Sequence, residues 1–233
     1  MLGPFDYSML LAGFLLEAFV VVSSLFRKDF LRYLSLNLYM LSAALVTYGL
    51  YFCIHRFGFT SHAYFYYYYY SDSLLYVLMY CVIIHFYQQT FIEMRVSRYI
   101  RGAAVLLLAV TALFSYMVVH QNKDHLTTRF VVEMEQNLNF VGVVLTYVLW
   151  GAVLKLRETR TRLIQLILAV GVYYSATAGI YALRNLFPSL NDSVLRWVPP
   201  IIGMWLPLAW AYTFTKVPED ARLAPARLLV KAR

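Results

Sequence analysis

Charge is what this sequence lacks most. Only 14% of its 233 residues are Asp, Glu, Lys or Arg, where a soluble domain carries about 25%. That scarcity excludes an ordinary soluble enzyme, a charged coiled coil and a disordered chain, each of which needs many solvated groups. Cysteine is scarcer still, with Cys53 and Cys81 alone. There is no Cys-x-x-Cys and no Cys/His run with zinc spacing, so no metal site is expected from them. Both fall in apolar stretches and read as buried small hydrophobes. The opening Met1-Leu2-Gly3-Pro4-Phe5-Asp6 has no basic region, so a cleavable signal is not expected.

What is present is apolar. Hydrophobic residues make up 61% of the chain, against about 45–50% in a soluble domain. Seven runs stand out, at 7–26, 34–54, 73–92, 100–119, 136–155, 163–183 and 197–215. A helix needs about 20 residues to cross about 30 Å of hydrocarbon, and each run has that length. The expected fold is all-α: a polytopic integral membrane protein, one seven-helix transmembrane domain over 1–216. A short basic tail, 217–233, follows. It is expected either to lie on anionic lipid or to be unstructured.

Lys and Arg number 20 against 12 Asp and Glu, a net charge of +8. On a soluble protein that excess would suggest nucleic acid. Here the charges sit in short loops, so the bilayer is the expected partner and nucleic acid is not. Fifteen of the 20 fall on one side, in loops 27–33, 93–99 and 156–162, at the adjoining helix ends and in the tail. The positive-inside rule puts that side in the cytoplasm, the N-terminus outside and the C-terminus inside, in the plasma (inner) membrane. Segments two and six share Thr47-x-Gly49-Leu50-Tyr51 and Thr177-x-Gly179-Ile180-Tyr181 at an offset of 130, with Arg32 and Arg162 at the same offset. This fits two parallel three-helix halves joined by segment four.

In size and topology the chain resembles microbial rhodopsins. A retinal Schiff base needs a mid-membrane lysine on segment seven, and the one lysine there, Lys216, is at its end. The layout also resembles membrane hydrolases of the ceramidase and adiponectin-receptor type, whose zinc sites use histidines that segments six and seven lack. Only His85 lies well inside a segment, which gives a bundle haem little support. SWEET-type transporters share the three-plus-one-plus-three plan, but their paired Pro-Gln signatures are absent. The remaining likeness is to small bacterial seven-helix membrane proteins of uncharacterised function. It covers the whole chain and carries no site residues over. No cofactor is expected.

An ionisable group in mid-membrane costs about 2.5–3.5 kcal/mol on insertion scales, so each invites an explanation. Glu17 lies at the middle of segment one. It reads as a proton or cation carrier, as a ligand contact, or as a carboxyl bonded to a neighbouring helix. His85 lies about one turn past the middle of segment three, where a Glu17–His85 relay or a satisfied interior histidine is open. Asp72 sits at the outer mouth of segment three, on one face with Tyr76, Met79, Tyr80 and Ile83. It could cap the helix or pair with Arg184. Arg184, Tyr181, Thr177 and Tyr174 share a face of segment six, and Asn139, Gly142 and Thr146 share one of segment five. Together these residues predict a polar cavity for a small ligand in the outer half. The alternative is hydrogen bonding that holds the helices together.

The run Tyr64-Phe65-Tyr66-Tyr67-Tyr68-Tyr69-Tyr70 reads as an aromatic belt at the outer interface, or as a lid for an aromatic or quinone-like ligand. His55, His62, His120 and His125 also fall outside, with no metal-site spacing. Arg95, Arg98 and Arg101 form a basic stripe for lipid phosphates or for an acidic partner protein in the cytoplasm or membrane. Pro199, Pro200, Gly203 and Pro207 give segment seven means to bend. No catalytic group is assigned. The expected function is a sensor-like or accessory membrane module acting through a separate partner. The alternatives are a small-solute transporter, proton-coupled in one version, and an intramembrane enzyme.

Overall fold

The structure is a computed structural model that describes residues 4–27, 29–94, 96–120, 126–186 and 198–223. Among them are seven α-helices and no strand. They are α1 (Pro4–Phe26), α2 (Leu34–Phe57), α3 (His62–Thr90), α4 (Ser97–His120), α5 (Leu126–Lys155), α6 (Thr161–Leu186) and α7 (Val198–Lys216). Six are long and apolar enough to cross a membrane. The exception is α7, 19 residues whose prolines, Trp205 and Trp210 dilute its hydropathy. The outside of the bundle is apolar. On α4, for example, Val105, Leu106, Val110, Leu113, Phe114 and Met117 are all exposed, a surface suited to lipid rather than water.

Two helices run further than their apolar stretches suggest. The expected loop 55–72 is mostly helix. Only Gly58–Ser61 interrupts it. Gly58 takes φ +82, a left-handed cap that glycine tolerates, and its N–H closes on Ile54 O at 3.0 Å. Ser61 then caps α3, its Oγ accepting from the Tyr64 N–H at 3.1 Å. Asp72 thus does not cap the helix, one of the two readings open for it; it lies well inside α3. Helix α5 likewise begins at Leu126, ten residues before 136. Residues 126–135 are too polar to read as a span, but they contain no breaker.

Six helices form a ring in the order α1, α2, α3, α5, α6, α7, closed by α7 against α1. Helix α4 packs outside, against α5 and α3. The order of the six ring helices, α4 apart, maps onto itself when α1, α2 and α3 are exchanged for α5, α6 and α7. Close approaches help fix the ring. A Cβ on Gly142 would strike the Tyr174 ring, and one on Gly171 the Trp150 ring, so α5 and α6 interlock through glycine sockets.

One end of the bundle carries the short α1–α2 and α5–α6 turns and the described part of the tail; it is the basic end. There Arg162, 2% exposed, begins α6. Its Nε and Nη2 donate to Val217 O at 3.0 and 2.7 Å. Its Nη1 pairs with Asp29 and, at 2.9 Å, with Glu219. Glu219 also accepts from the Tyr33 hydroxyl at 3.1 Å and pairs with Arg32 at 2.9 Å. Two backbone bonds tie the tail to the α5–α6 turn: the Thr161 N–H to Ala221 O and the Leu223 N–H to Thr159 O. Residues 217–223, the first part of the expected tail, are thus held by Arg162 and the turn. Residues 224–233 lie outside the described set. Beside the clasp, Arg160 grips Glu158 at 2.6 Å and Gln89 O at 2.7 Å. Burial opposes ionisation of Glu158, and the bonds from Arg160 and the Thr159 N–H outweigh it, holding the carboxyl below its ordinary range.

Removing one partner from a buried ion pair costs about 3–5 kcal/mol, an exposed pair about 0–1 kcal/mol. Arg162→Met should therefore destabilise the detergent-solubilised protein by about 3–5 kcal/mol, and Arg32→Gln by no more than about 1 kcal/mol. Thermal unfolding of the two variants side by side checks this; equal losses would mean that Arg162 is not the clasp. Because the Glu158 carboxyl is lowered on folding, its stabilisation is complete above the ordinary glutamate pKa of about 4.3 and fades as pH falls through the folded value. The stability gap between the native protein and Glu158→Gln should be flat near neutral pH and close below about pH 4. A gap that widens in acid would refute the assignment.

Candidate functional site

The opposite end carries the aromatic run, and the polar groups of that half converge on two adjoining cavities. The first, about 250 Å³, lies among α3, α5, α6 and α7. Helix α3 supplies Asp72 and, one turn on, Tyr76. Helix α5 supplies Glu135, and α6 supplies Tyr173, Thr177 and Tyr181. Spacings of three and four residues put each set on one helix face. The Tyr181 hydroxyl donates to Glu135 Oε1 at 2.8 Å, and Tyr76 lines the same cavity beside them. Asp72 and Glu135 are electrostatic neighbours across the α3–α5 seam. Asp72 makes no hydrogen bond or ion pair among the described residues.

The second cavity, about 420 Å³, is bounded by α1, α2, α3, α6 and α7. Glu17 lines it and accepts from Thr47 Oγ1 at 3.2 Å. Tyr68, Tyr173 and Gly203 line both cavities, so these three residues are their common wall. The linings of α2 and α6 also correspond. Ala43, Thr47 and Leu50 face the second cavity; Tyr173, Thr177 and Ile180, each 130 residues later, face the first.

Of the residues singled out from the sequence, Asp72, Tyr76 and Tyr181 meet at one cavity, with Glu17 in the adjoining one. Asn139 is buried beneath the first cavity, where it accepts from Thr177 at 3.1 Å and lines neither. Tyr174 is also out of the cavity, packed in the Gly142 socket. The side chain of Arg184, the suggested partner of Asp72, lies outside the described set. His85 sits toward the basic end, on Arg32 O at 3.0 Å with Gln89 at 3.4 Å. Glu17 and His85 thus hold different partners, and the relay weighed between them is not formed.

Arg95 is outside the described set; Arg98 and Arg101 are exposed. Cys81 is exposed on the bundle surface rather than buried, and Cys53 is half-buried. The reason is that an apolar segment facing lipid leaves its outer side uncovered by protein. The aromatic run divides: Tyr64 and Tyr68 line the Glu17 cavity, Tyr67 packs on Gly49, and Phe65, Tyr66 and Tyr70 face outward.

Glu135 and Tyr173 were not singled out from the sequence, and Tyr68 only as one member of the aromatic run. Glu135 falls one residue before the fifth apolar run and so reads as loop. Its signal is there in the spacing, one turn ahead of Asn139 on the face shared with Gly142 and Thr146.

Among their described walls the cavities carry no His, Cys, Ser, Lys or Arg. Two hydroxyls bond carboxylates there, Thr47 to Glu17 and Tyr181 to Glu135, but no histidine base lines either described wall, and no three His, Cys, Asp or Glu side chains converge as metal ligands among the described residues. The arrangement offers carboxylates and hydroxyls to a bound ligand. No family model, curated protein or solved structure matches the chain, so geometry alone carries the functional reading.

The Tyr181–Glu135 bond makes a defined prediction. Groups in one network couple by about 0.5–3 kcal/mol. Tyr181→Phe and Glu135→Gln should therefore be non-additive in thermal stability, with a coupling of about 1 kcal/mol. Strict additivity would mean that the bond does not form.

Proposed function

We propose that this chain is a multi-pass plasma-membrane protein, N-terminus outside and C-terminus inside, that binds a small ligand in the outer half of its bundle. Occupancy then passes to a separate partner at the cytoplasmic face. The observation that carries this reading is the Asp72–Glu135–Tyr181 cavity, a concave polar site built from four helices with no reactive constellation. The orientation is supported by the Lys/Arg asymmetry, which makes the basic end cytoplasmic and the cavity end outer. The Arg162 clasp connects the cytoplasmic ends of α6 and α7 to the tail and to the α1–α2 turn, a route by which helix shifts at the cavity reach the cytoplasmic face.

A second reading, solute transport, is favoured by a different observation. The ring maps onto itself by halves, and α2 and α6 line the two cavities with residues 130 apart. Parallel repeats of this kind occur in transporters. An intramembrane enzyme is the least supported reading, for want of converging catalytic groups.

Purification from the host's own membranes in mild detergent, followed by mass spectrometry of what co-elutes, separates the first two. A stoichiometric partner that remains bound is the expected result. Protein that elutes alone, and that drives solute uptake in vesicles abolished by Glu17→Gln, would replace the module with a transporter.

A further inference from the structure

The two ends of the bundle treat their carboxylates differently. At the basic end each described pair is matched: Asp29 and Glu219 with Arg162, Glu158 with Arg160. At the cavity end Glu17, Asp72 and Glu135 line adjoining spaces whose described walls hold no cationic side chain. Their partners there are hydroxyls, Thr47 for Glu17 and Tyr181 for Glu135, and Asp72 has none among the described residues.

We propose that the paired cavity takes a small organic cation, an ammonium ion, held by Asp72 and Glu135 against the ring faces of Tyr68 and Tyr173. The proposal rests on the outer-cavity reading above and names the ligand class of that site.

Three features support it. Carboxyls withdrawn from water either take up a proton or gain a compensating charge, and a ligand ammonium supplies that charge where the described walls do not. Tyrosine faces attract cations, and the partly exposed Tyr68 and the half-buried Tyr173 form the wall between the cavities. Tyr173 lines both cavities and has a hydroxyl that makes no hydrogen bond among the described residues and is open to a ligand there. An anion would meet repulsion from Asp72 and Glu135, and a wholly apolar ligand would leave them uncompensated.

Gly203 provides the probe. It belongs to both cavity walls, and a Cβ there meets nothing within 4 Å. The test uses the full chain with Cys53→Ala, Cys81→Ala and Gly203→Cys in intact cells. Two membrane-impermeant methanethiosulfonates are compared, one bearing trimethylammonium and the other sulfonate. Each rate is divided by that reagent's rate with free 2-mercaptoethanol.

The expected result is a normalised preference of at least tenfold for the cationic reagent, slowed by added tetramethylammonium. The preference should fall towards unity in Asp72→Asn/Glu135→Gln. Labelling with no cationic preference would overturn the ammonium site and leave the outer cavity standing; a guanidinium from Arg184 turned into the cavity would give that result. No labelling by either reagent would overturn the cavity itself, and this proposal with it. An independent measurement uses the unsubstituted protein in nanodiscs. Calorimetry should give saturable binding of tetramethylammonium and none of uncharged tert-butanol; equal behaviour of the two would also overturn the proposal.

Discussion

Arg162 is the group on which the closure of this bundle turns. A guanidinium at the start of α6 would be costly to bury alone. It is buried because four pieces of chain converge on it: the α1–α2 turn through Asp29, the end of α7 through Val217 O, the tail through Glu219, and α6 itself. Tyr33 and Arg32 brace Glu219 from the other side. The last helix is thereby fastened against the first, which is the seam that turns an arc of helices into a ring. The large buried side chains Trp210, Phe214 and Phe86 belong to the core that this closure encloses. Phe214 also lies 5.6 Å from the Arg162 guanidinium, so the same cation rests on an aromatic face.

With that end fixed, the other is free to be hollow. Helices packed through glycine sockets along α5 and α6 stay close at their middles. Towards the aromatic end the ring opens into two spaces lined by carboxylates and tyrosines. A bundle in hydrocarbon must satisfy its polar groups internally. Here the charge-matched set lies at one end, and the set matched only by hydroxyls lies at the other. That division of labour is the physical basis for assigning structure to the basic end and ligand binding to the aromatic end.

Much of the plan was legible in the chain. Helix number and the membrane character of six helices follow from run length and hydropathy. The faces that bring Asp72 to Tyr76 and Thr177 to Tyr181 follow from helical spacing. The cavity's other wall did not, because Glu135 sits just outside an apolar run and hydropathy marks where hydrocarbon is crossed, not where a helix begins. Asp72 read as a helix cap for the same reason, since the Tyr-rich stretch before it resembled an interfacial loop. Tyr174 was chosen over Tyr173 because a face read from spacing carries an uncertainty of about one residue's rotation, 100° on a helix.

The sequence by itself determined that the chain is helical, apolar and asymmetric in charge, since these depend on composition and local period. Only the tertiary structure decided which helices are neighbours, that α4 stands outside the ring, that His85 and Glu17 serve different ends, and that Arg162 holds the tail. It also decided that three carboxylates from three helices line one paired cavity. Such facts depend on contacts between residues on different helices, 30 or more positions apart for the Glu17, His85 and Arg162 partners, and periodicity within one helix carries no record of which other helix its polar face will meet.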